Sequence, residues 1–302
     1  MIGFRSLPPM NETPPFPDWT RASILDDALF AESYGRLPAV RRAWLKKLIA
    51  ELYALSGPAP AAQTTKTTLC DANFHTAETY APLRFAVLFL DDTVRSPIKT
   101  AAAALPMVLS GIPDVIAVRT GTHRNKPDDV LAAFELCGLE TVLALGEKKA
   151  RELLKHLAAQ GRGALLSLGE KISKKATSAC EASPGMKLWS AGRSLCSGDF
   201  GLWAERGVSW DFDVLAWAYP NTRIAVWGAK APNLENFYSM PGKFEEFQKT
   251  GYRVVLAPEH RMPEVRDRAG LVLGPGQEAC WVWPELTLEF FRQRRLAVGT
   301  VK

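Results

Sequence analysis

The sequence predicts an α/β protein built on a mainly parallel, doubly wound sheet with helices on both faces. Between residues 85 and 190, short apolar runs of strand length alternate with segments of helical composition. The first run, Phe85–Leu90, is entirely apolar, as expected for a strand covered on both faces of a parallel sheet. Ser96 followed by Pro97 is typical of a helix start, and Gly111 of a helix end. Strands that alternate with helices form a parallel sheet, and such sheets bind ligands at the carboxyl ends of their strands.

The first 60 residues predict an arm and a helix that precede this unit. Prolines are dense within residues 1–18, which favours an extended segment. Residues 21–55 carry apolar side chains on one helical face and a basic cluster elsewhere, which we interpret as a solvated face rather than a nucleic-acid patch. The run Gly57–Ala62 predicts a linker.

The unit that begins at Phe85 predicts a Rossmann-like α/β domain over residues 80–192. Its further strands are Asp114–Val118, Thr141–Leu145, Ala164–Leu168 and Met186–Ser190. Its further helices are Asp128–Cys137, Glu147–Gln160 and Glu170–Glu181. We expect the first three strands to be parallel neighbours in one sheet.

Residues 193–302 predict a second, smaller α/β subdomain. Strand candidates are Arg223–Trp227, Tyr252–Ala257 and Leu271–Leu273, and Lys243–Thr250 is a short helix that Gly251 ends. Tryptophan is concentrated between residues 189 and 283. Large aromatic side chains of this kind favour core or interface positions over a stacking surface for ligands.

Composition limits the classes of function. The chain has 302 residues, 47% of them hydrophobic and 23% charged, as in a soluble globular protein. The net charge of +5 comes from interspersed residues and does not indicate nucleic-acid binding. Five widely spaced cysteines without a CxxC pair predict reduced thiols in a cytoplasmic protein, and no apolar run is long enough to span a membrane.

The spacing of four residues carries a resemblance to a known family. Thr93, Pro97, Pro106 and Gly111, followed by a strand, a loop and the helix at 130–139, resemble histidinol dehydrogenase and, more distantly, the aldehyde dehydrogenase superfamily. The resemblance covers about residues 85–169. It implies a Rossmann-like fold, NAD or NADP as a possible cofactor, and an oxidoreductase ancestry.

Two departures lie where the family is expected to touch a dinucleotide. Asp91-Asp92 stands in place of a glycine pair before Thr93, and Gly146-Glu147-Lys148-Lys149-Ala150 replaces a glycine- and alanine-rich segment. Adjacent carboxylates repel a pyrophosphate. Ordinary use of a nicotinamide cofactor is therefore not expected from these residues.

The catalytic groups that the resemblance implies are not found at their expected places. Trp189 or Ser190 stands where the aldehyde dehydrogenase family has its glutamate base, and its cysteine position lies near Arg223–Trp227. Cys196 is a weak candidate for a nucleophile, and we expect it to lack a depressed pKa and solvent access. His260, in Pro258-Glu259-His260-Arg261, is a second weak candidate, because histidinol dehydrogenase uses a Glu/His acid–base pair and a zinc site. No ligand pairing for zinc is present, so no metal site is predicted.

The predicted ligand site lies at the carboxyl ends of the strands. Asp92, Thr93, Ser96 and Gly146 follow the first and third strands, so we expect them to line a cleft that faces the second subdomain near Pro258–His260. The two aspartates predict a negative edge and a cationic or hydroxyl-rich small-molecule ligand. The alternative is an inherited but empty cleft.

Three functions remain open at this point. The first is a diverged histidinol/aldehyde dehydrogenase-like protein that binds a nucleotide or related ligand without the usual catalytic residues. The second is an active NAD(P)-dependent oxidoreductase that acts on an aldehyde or amino alcohol. The third is a non-enzymatic scaffold or subunit. Partners in nucleic acid or membrane are not expected, whereas a homo-oligomer is possible.

Overall fold

A computed structural model of the chain describes residues 15–57, 62–69, 74–169, 183, 185–193 and 198–300. These residues form two five-stranded parallel sheets and one three-stranded antiparallel sheet. The helix predicted over Glu170–Glu181 and the candidate nucleophile Cys196 lie outside the described residues. No helix of the described ranges is long and apolar enough to cross a membrane.

The N-terminal helical segment is divided into two helices, α1 (Asp27–Arg36) and α2 (Ala39–Ser56). The division falls at Pro38, which has no N–H to donate and which restricts the backbone of the preceding residue. The Asp26 side chain begins α1 by accepting a hydrogen bond of 2.8 Å from the N–H of Ala28. The single helix expected over residues 21–55 is therefore wrong at its centre.

A hairpin that the sequence did not predict follows the second helix. Its strands, β1 (Gln63–Leu69) and β2 (Phe74–Pro82), pair antiparallel. All seven residues of β1 are exposed and all nine of β2 are half-buried. The hairpin escaped prediction because neither strand has the apolar alternation that a covered face produces.

The first parallel sheet agrees with the predicted fold class. Its strands are β3 (Phe85–Leu90), β4 (Asp114–Arg119), β5 (Val142–Ala144), β6 (Gly163–Ser167) and β7 (Lys187–Ser190). They lie in the order β5-β4-β3-β6-β7 and are all parallel, which confirms the expected neighbours. All six residues of the central strand β3 are buried. The helices of this unit are α3 (Pro97–Leu109), α4 (Asp129–Cys137) and α5 (Glu147–Gln160).

The second parallel sheet repeats this arrangement. Its strands are β8 (Phe200–Trp203), β9 (Ile224–Trp227), β10 (Phe237–Ser239), β11 (Val254–Leu256) and β12 (Leu271–Leu273). They lie in the order β10-β9-β8-β11-β12. This is the same order as in the first sheet: the first strand along the chain is central, the second and third lie on one side of it, and the fourth and fifth lie on the other. The helices here are α6 (Phe212–Ala218), α7 (Phe244–Thr250) and α8 (Met262–Val265). The sequence missed the central strand β8, which is only four residues long and contains Gly201.

Gly201 is in that strand because two aromatic rings occupy the space above it. A Cβ at this position would lie 2.2 Å from the Tyr252 ring and 2.8 Å from the Phe247 ring. The glycine that weakens the sequence signal for β8 is thus a packing requirement.

The last strand, β13 (Arg292–Thr300), pairs antiparallel with β2 and completes the third sheet in the order β1-β2-β13. Leu69, Leu296 and Val298 are exposed on this sheet. The division of the chain at residues 60, 80, 192 and 193 stays a prediction.

The tryptophans between residues 189 and 283 are core residues. All seven are buried: Trp189, Trp203, Trp210, Trp217, Trp227, Trp281 and Trp283. Trp281 is fully buried and is stacked on Phe200 of β8 with ring centroids 5.6 Å apart. The expected core or interface role of this tryptophan-rich region is confirmed.

Candidate functional site

The candidate site lies at the carboxyl edge of the first sheet. The strand order reverses at β3, since β4 lies on one side of it and β6 on the other, and parallel sheets bind ligands at such a switch point. Two cavities, of about 520 Å³ and 410 Å³, flank the loop that follows β3. We call the larger one, which reaches the loop after β4, the first cleft, and the smaller one, which reaches Leu168 after β6, the second cleft.

Asp91 fills the crevice at the switch point itself. Its carboxylate is buried and accepts a hydrogen bond of 2.9 Å from the N–H of Thr93. A Cβ on Gly169, just after β6, would lie 2.3 Å from this carboxylate, so the two loops are in close contact. A pyrophosphate in this crevice would meet a buried negative charge, and these residues therefore do not fit a dinucleotide bound in the usual position.

Asp92 organises the loop after the neighbouring strand β4. Its carboxylate accepts hydrogen bonds from the N–H groups of Thr122 at 2.8 Å and His123 at 3.1 Å. Burial by itself would raise the pKa of Asp92, but these N–H groups hold that pKa below its ordinary value. Asp92 also faces Gly121, where a Cβ would lie within 2.4 Å of the carboxylate and where φ is +95°. The side chain lines the first cleft while it braces that loop.

Thr93 and Ser96 line the second cleft, and hydrogen bonds join them to the unit of the second sheet. Ser96 is buried, caps α3 by accepting from the N–H of Lys99 at 3.0 Å, and donates to the carbonyl of Ala218 at 2.6 Å. The carbonyl of Thr93 accepts from the Asn221 side chain at 2.7 Å. These two hydrogen bonds fix the loop 218–222 to the first unit, so that this loop forms one wall of the second cleft.

Gly146 lies apart from these residues. It precedes α5 at the carboxyl end of β5, is exposed, and is not among the described residues that line either cleft. Of the four predicted ligand residues, the structure therefore brings Thr93 and Ser96 together, puts Asp92 in the adjoining cleft and separates Gly146. Whether they bind a ligand stays a prediction.

The charge at this edge differs from the sequence expectation. The carboxylates of Asp91 and Asp92 are turned toward backbone N–H groups, which stabilise them by hydrogen bonds. The first cleft is lined by similar numbers of acidic and basic residues, including a buried Arg119 that is paired with Asp128. The expectation of a negative edge is therefore wrong, because it counted carboxylates without their partners.

His260 lies at a different edge from the two clefts. Its Nε2 is 2.7 Å from Glu205 Oε1, and Glu205 also accepts a 3.0 Å hydrogen bond from the indole N–H of Trp203. Glu205 and His260 follow β8 and β11, so they lie at the carboxyl edge of the second sheet. The second cleft instead touches Asp199 and Arg223, which precede β8 and β9 at the amino edge. The expectation that the cleft faces Pro258–His260 is therefore wrong.

The described cysteines are unsuited to nucleophilic chemistry. Burial raises the pKa of Cys137 to about 12. Burial, together with the hydrogen bond to Glu51, also raises the pKa of Cys280. In the parts of the chain that the structure describes, no group of three or more His, Cys, Asp or Glu side chains could hold a metal ion.

Sequence reasoning missed three of the side chains that line the second cleft. Lys99 lies in the first turn of α3, and Tyr219 and Arg223 lie in the loop between α6 and β9. Lys99 carries no motif, and the predicted strand Arg223–Trp227 gave Arg223 no place near Thr93. Only the packing of the second sheet against the first brings Tyr219 and Arg223 to this cleft.

The comparisons with known proteins bear on the fold. No family model and no curated protein matches the sequence. The structure is similar to histidinol dehydrogenase from Elizabethkingia anophelis, with a TM-score of 0.60 and 9% sequence identity over 92% of this chain and 77% of that one. It is also similar to a betaine aldehyde dehydrogenase double mutant from Staphylococcus aureus in complex with NAD+, with a TM-score of 0.52 and 9% identity over 91% and 80% of the two chains.

A third solved structure, aldehyde dehydrogenase from Brucella melitensis biovar abortus, has a TM-score of 0.51 and 10% identity over 91% of this chain and 83% of that one. At these identities the likeness concerns the fold alone. The resemblance to histidinol and aldehyde dehydrogenases, inferred from four residues, is thus confirmed as a shared architecture that extends over both parallel sheets.

Proposed function

We propose that this protein binds a small-molecule ligand in the second cleft and does so without the thiol or zinc chemistry of the dehydrogenases whose fold it shares. One observation carries the proposal. The cleft lies beside the point where the strand order of the first sheet reverses, and the loop 218–222, which is hydrogen-bonded to Thr93 and Ser96, closes it. Its volume of about 410 Å³ is in the range of small-molecule sites.

The lining supports binding rather than a packing defect. Thr93, Ser96 and Thr222 bring hydroxyl groups to the cleft, and Leu168 and Trp283 bring apolar surface. A few polar groups on an apolar wall are typical of ligand sites. The hydrogen bonds that bring the two walls together are already made, so binding does not have to order them.

The test is a thermal-shift screen against nucleotides, dinucleotides and acyl-CoA, since a ligand of the native state raises the melting temperature. A variant that fills the cleft then locates the site. Gly192 lines the cleft, and a Cβ there would lie 4.0 Å from Ser190 Oγ, so Gly192→Leu places its side chain at the cleft without a close contact at its first carbon. We expect it to abolish the shift.

Gly35→Leu is the matched control, because a Cβ at Gly35 on α1 meets nothing within 4 Å and the position lies outside both clefts. The control should retain the shift. Gly146→Leu tests the wider predicted site. If this variant fails to bind, the ligand site reaches as far as Gly146 at the start of α5. If no compound binds, the cleft is empty and the scaffold interpretation is favoured. If Gly192→Leu binds a compound as the original protein does, the ligand does not occupy the second cleft and the proposed site is wrong.

A second candidate function is supported by the pair of Glu205 and His260. Their side chains are 2.7 Å apart at the carboxyl edge of a parallel sheet, and the His260 side chain is 61% exposed. A carboxylate that orients an accessible imidazole is a common acid–base arrangement. It would suit an oxidoreductase that acts on an aldehyde or amino alcohol.

The second candidate is tested by the absorbance of reduced nicotinamide during incubation with a panel of aldehydes and amino alcohols. His260→Gln should abolish turnover, while His123→Gln, a change in the first cleft, should leave it intact. Turnover that survives His260→Gln would reject this role.

A homo-oligomer remains part of the proposal. The antiparallel sheet exposes the apolar side chains of Leu69, Leu296 and Val298. Exposed apolar patches are typical of surfaces that contact another protein. Light scattering of the intact protein and of Leu296→Glu measures this directly. A monomeric mass for both proteins would reject the proposed homo-oligomer.

A further inference from the structure

Two successive backbone N–H groups of the loop that follows β4 hold a carboxylate. The N–H of Thr122 donates at 2.8 Å to Oδ2 of Asp92, and the N–H of His123 donates at 3.1 Å to Oδ1. The Thr122 hydroxyl donates to the same carboxylate at 3.1 Å. Asp92 itself follows β3 and lies 30 residues before Thr122 in the chain. Successive N–H groups that point at one position are a common anion-binding arrangement in proteins.

Gly121 provides the space that this anion occupies. Its φ is +95°, in the left-handed region that favours glycine. A Cβ at this position would lie 2.3 to 2.4 Å from the carboxylate atoms of Asp92. We call the N–H groups of Thr122 and His123, the Thr122 hydroxyl and the space beside Gly121 the anion nest.

The anion nest favours a negative charge. Burial by itself would raise the pKa of Asp92, but the hydrogen bonds from Thr122 and His123 hold that pKa below its ordinary value. N–H donors lower the pKa of a carboxyl group because they stabilise its ionised form more than its protonated form. The same donors would stabilise a free carboxylate or phosphate group in the nest.

The anion nest lies at the edge where a parallel sheet binds ligands. Asp92 and His123 line the first cleft, and Asp92 follows β3, the strand at which the strand order reverses. Backbone N–H groups at such an edge commonly receive the anionic group of a ligand. The carboxylate of Asp92 has the charge and accepts the hydrogen bonds of such a group.

We propose that the loop 121–123 is an anion-binding site that the chain closes with its own Asp92. The first cleft then excludes a free carboxylate or phosphate group from the nest as long as Asp92 is in place. A side chain that is attached beside its own binding site has a high effective concentration, so a dilute free anion does not replace it. The nest is a site apart from the second cleft of the proposed function.

Asp92→Gly tests the nest, because acetate is the part of the side chain that this substitution removes. The melting temperature is measured with sodium acetate, acetamide and sodium chloride, the two salts at equal ionic strength. Relative to chloride, about 200 mM acetate should raise the melting temperature of Asp92→Gly by at least about 1 °C. Acetamide, which has the same shape without the charge, should raise it by less than half as much. The original protein should respond to acetate no more than to chloride.

The bound anion is located by NMR, since acetate should shift the amide resonances of Thr122 and His123 in Asp92→Gly in a saturable manner. Inorganic phosphate is the second probe and distinguishes a phosphate site from a carboxylate site. Asp26→Gly is the matched control, because the Asp26 carboxylate also accepts from a backbone N–H, that of Ala28 at 2.8 Å, but lies at the start of α1 outside the nest. Asp92→Ala with formate replaces Asp92→Gly with acetate if the glycine variant does not fold.

A melting temperature of Asp92→Gly that does not respond to acetate or to phosphate would overturn the proposal. An equal response to acetamide, or an equal response in Asp26→Gly or in the original protein, would also overturn it, because the anion would then act elsewhere or without selection for charge. The outcome is independent of the screen with Gly192→Leu, so the nest and the second cleft can be rejected separately.

Discussion

The two parallel sheets share one strand order, yet their carboxyl edges differ. At the first sheet the edge is covered by the loop 218–222, and the carboxylates of Asp91 and Asp92 hold its own loops. At the second sheet the Glu205–His260 pair lies at an exposed edge. An identical topology therefore leaves the use of each edge to the loops that follow its strands.

The two edges also differ in the group that packs against a glycine where two loops approach closely. At the first edge, Gly169 makes room for a side chain, the carboxylate of Asp91. At the second edge, Gly228 makes room for backbone, since a Cβ there would lie 2.3 Å from the carbonyl oxygen of Ala204. A side chain can be removed by mutation, whereas a carbonyl cannot.

The largest expected effect is that of Gly228→Ala. The residue has φ +76°, so the substitution adds backbone strain to the contact with Ala204, and we expect a loss of about 3 kcal/mol or more in the free energy of unfolding. Urea denaturation measures it. Gly276→Ala isolates the strain, because Gly276 has φ +79° and a Cβ there meets nothing within 4 Å; its loss should be about 1 kcal/mol. Equal losses for the two variants would contradict the backbone contact.

Gly169→Ala should destabilise the first edge by about 2 kcal/mol, because the Asp91 carboxylate has to move from its place. The double variant with Asp91→Ala should cost less than the sum of the two single variants, which a double-mutant cycle measures. Gly146→Ala is the control on the same edge, since a Cβ there meets nothing within 4 Å; as an exchange of the N-cap residue of α5 it should cost no more than about 1 kcal/mol. Strict additivity would show that Asp91 and Gly169 do not press on each other.

Asp92→Asn should lower the free energy of unfolding by about 1–2 kcal/mol at pH 7. It replaces the charged carboxylate that accepts hydrogen bonds from the N–H groups of Thr122 and His123 by a neutral amide. The pKa of Asp92 lies below its ordinary value of 3.8, so its contribution is complete above that pH and is lost as the pH falls through the lowered pKa. The difference in melting temperature between the two proteins should therefore shrink as the pH falls below that ordinary value. Asp18→Asn, on an almost fully exposed carboxylate, is the control. A difference that grows toward low pH would have the wrong sign for this role.

The smallest expected effect is that of Glu205→Gln at the second edge. Its partner His260 is 61% exposed, and exposed ion pairs contribute less than about 1 kcal/mol. The amide oxygen introduced by this substitution can still accept from the Trp203 indole N–H, so urea denaturation should find a change within that limit. A loss above about 2 kcal/mol would exceed what an exposed pair contributes. The pair would then be structural, and the contrast between the two edges would weaken.

Much of the first unit could be predicted from sequence because its signals are local. The apolar run Phe85–Leu90, the cap at Ser96 and the helix ends at Gly111 and Gly138 are properties of a few consecutive residues. Such patterns depend on burial on both faces and on backbone conformation, which the residues themselves specify. The same spacing carried the resemblance that the shared fold confirms.

The sequence by itself thus determined the fold class, the strands of the first sheet and the buried tryptophans. Only the tertiary structure decided the hairpin of β1 and β2, the strand β8, the charge of the clefts and their distance from His260. The physical reason is that these depend on partners far along the chain. The Asp92 carboxylate is stabilised by the N–H groups of Thr122 and His123, about 30 residues later in the chain. The glycine-containing strand β8 is packed against rings that follow it much later in the sequence, and the ammonium of Lys99 lies over the ring of Trp281.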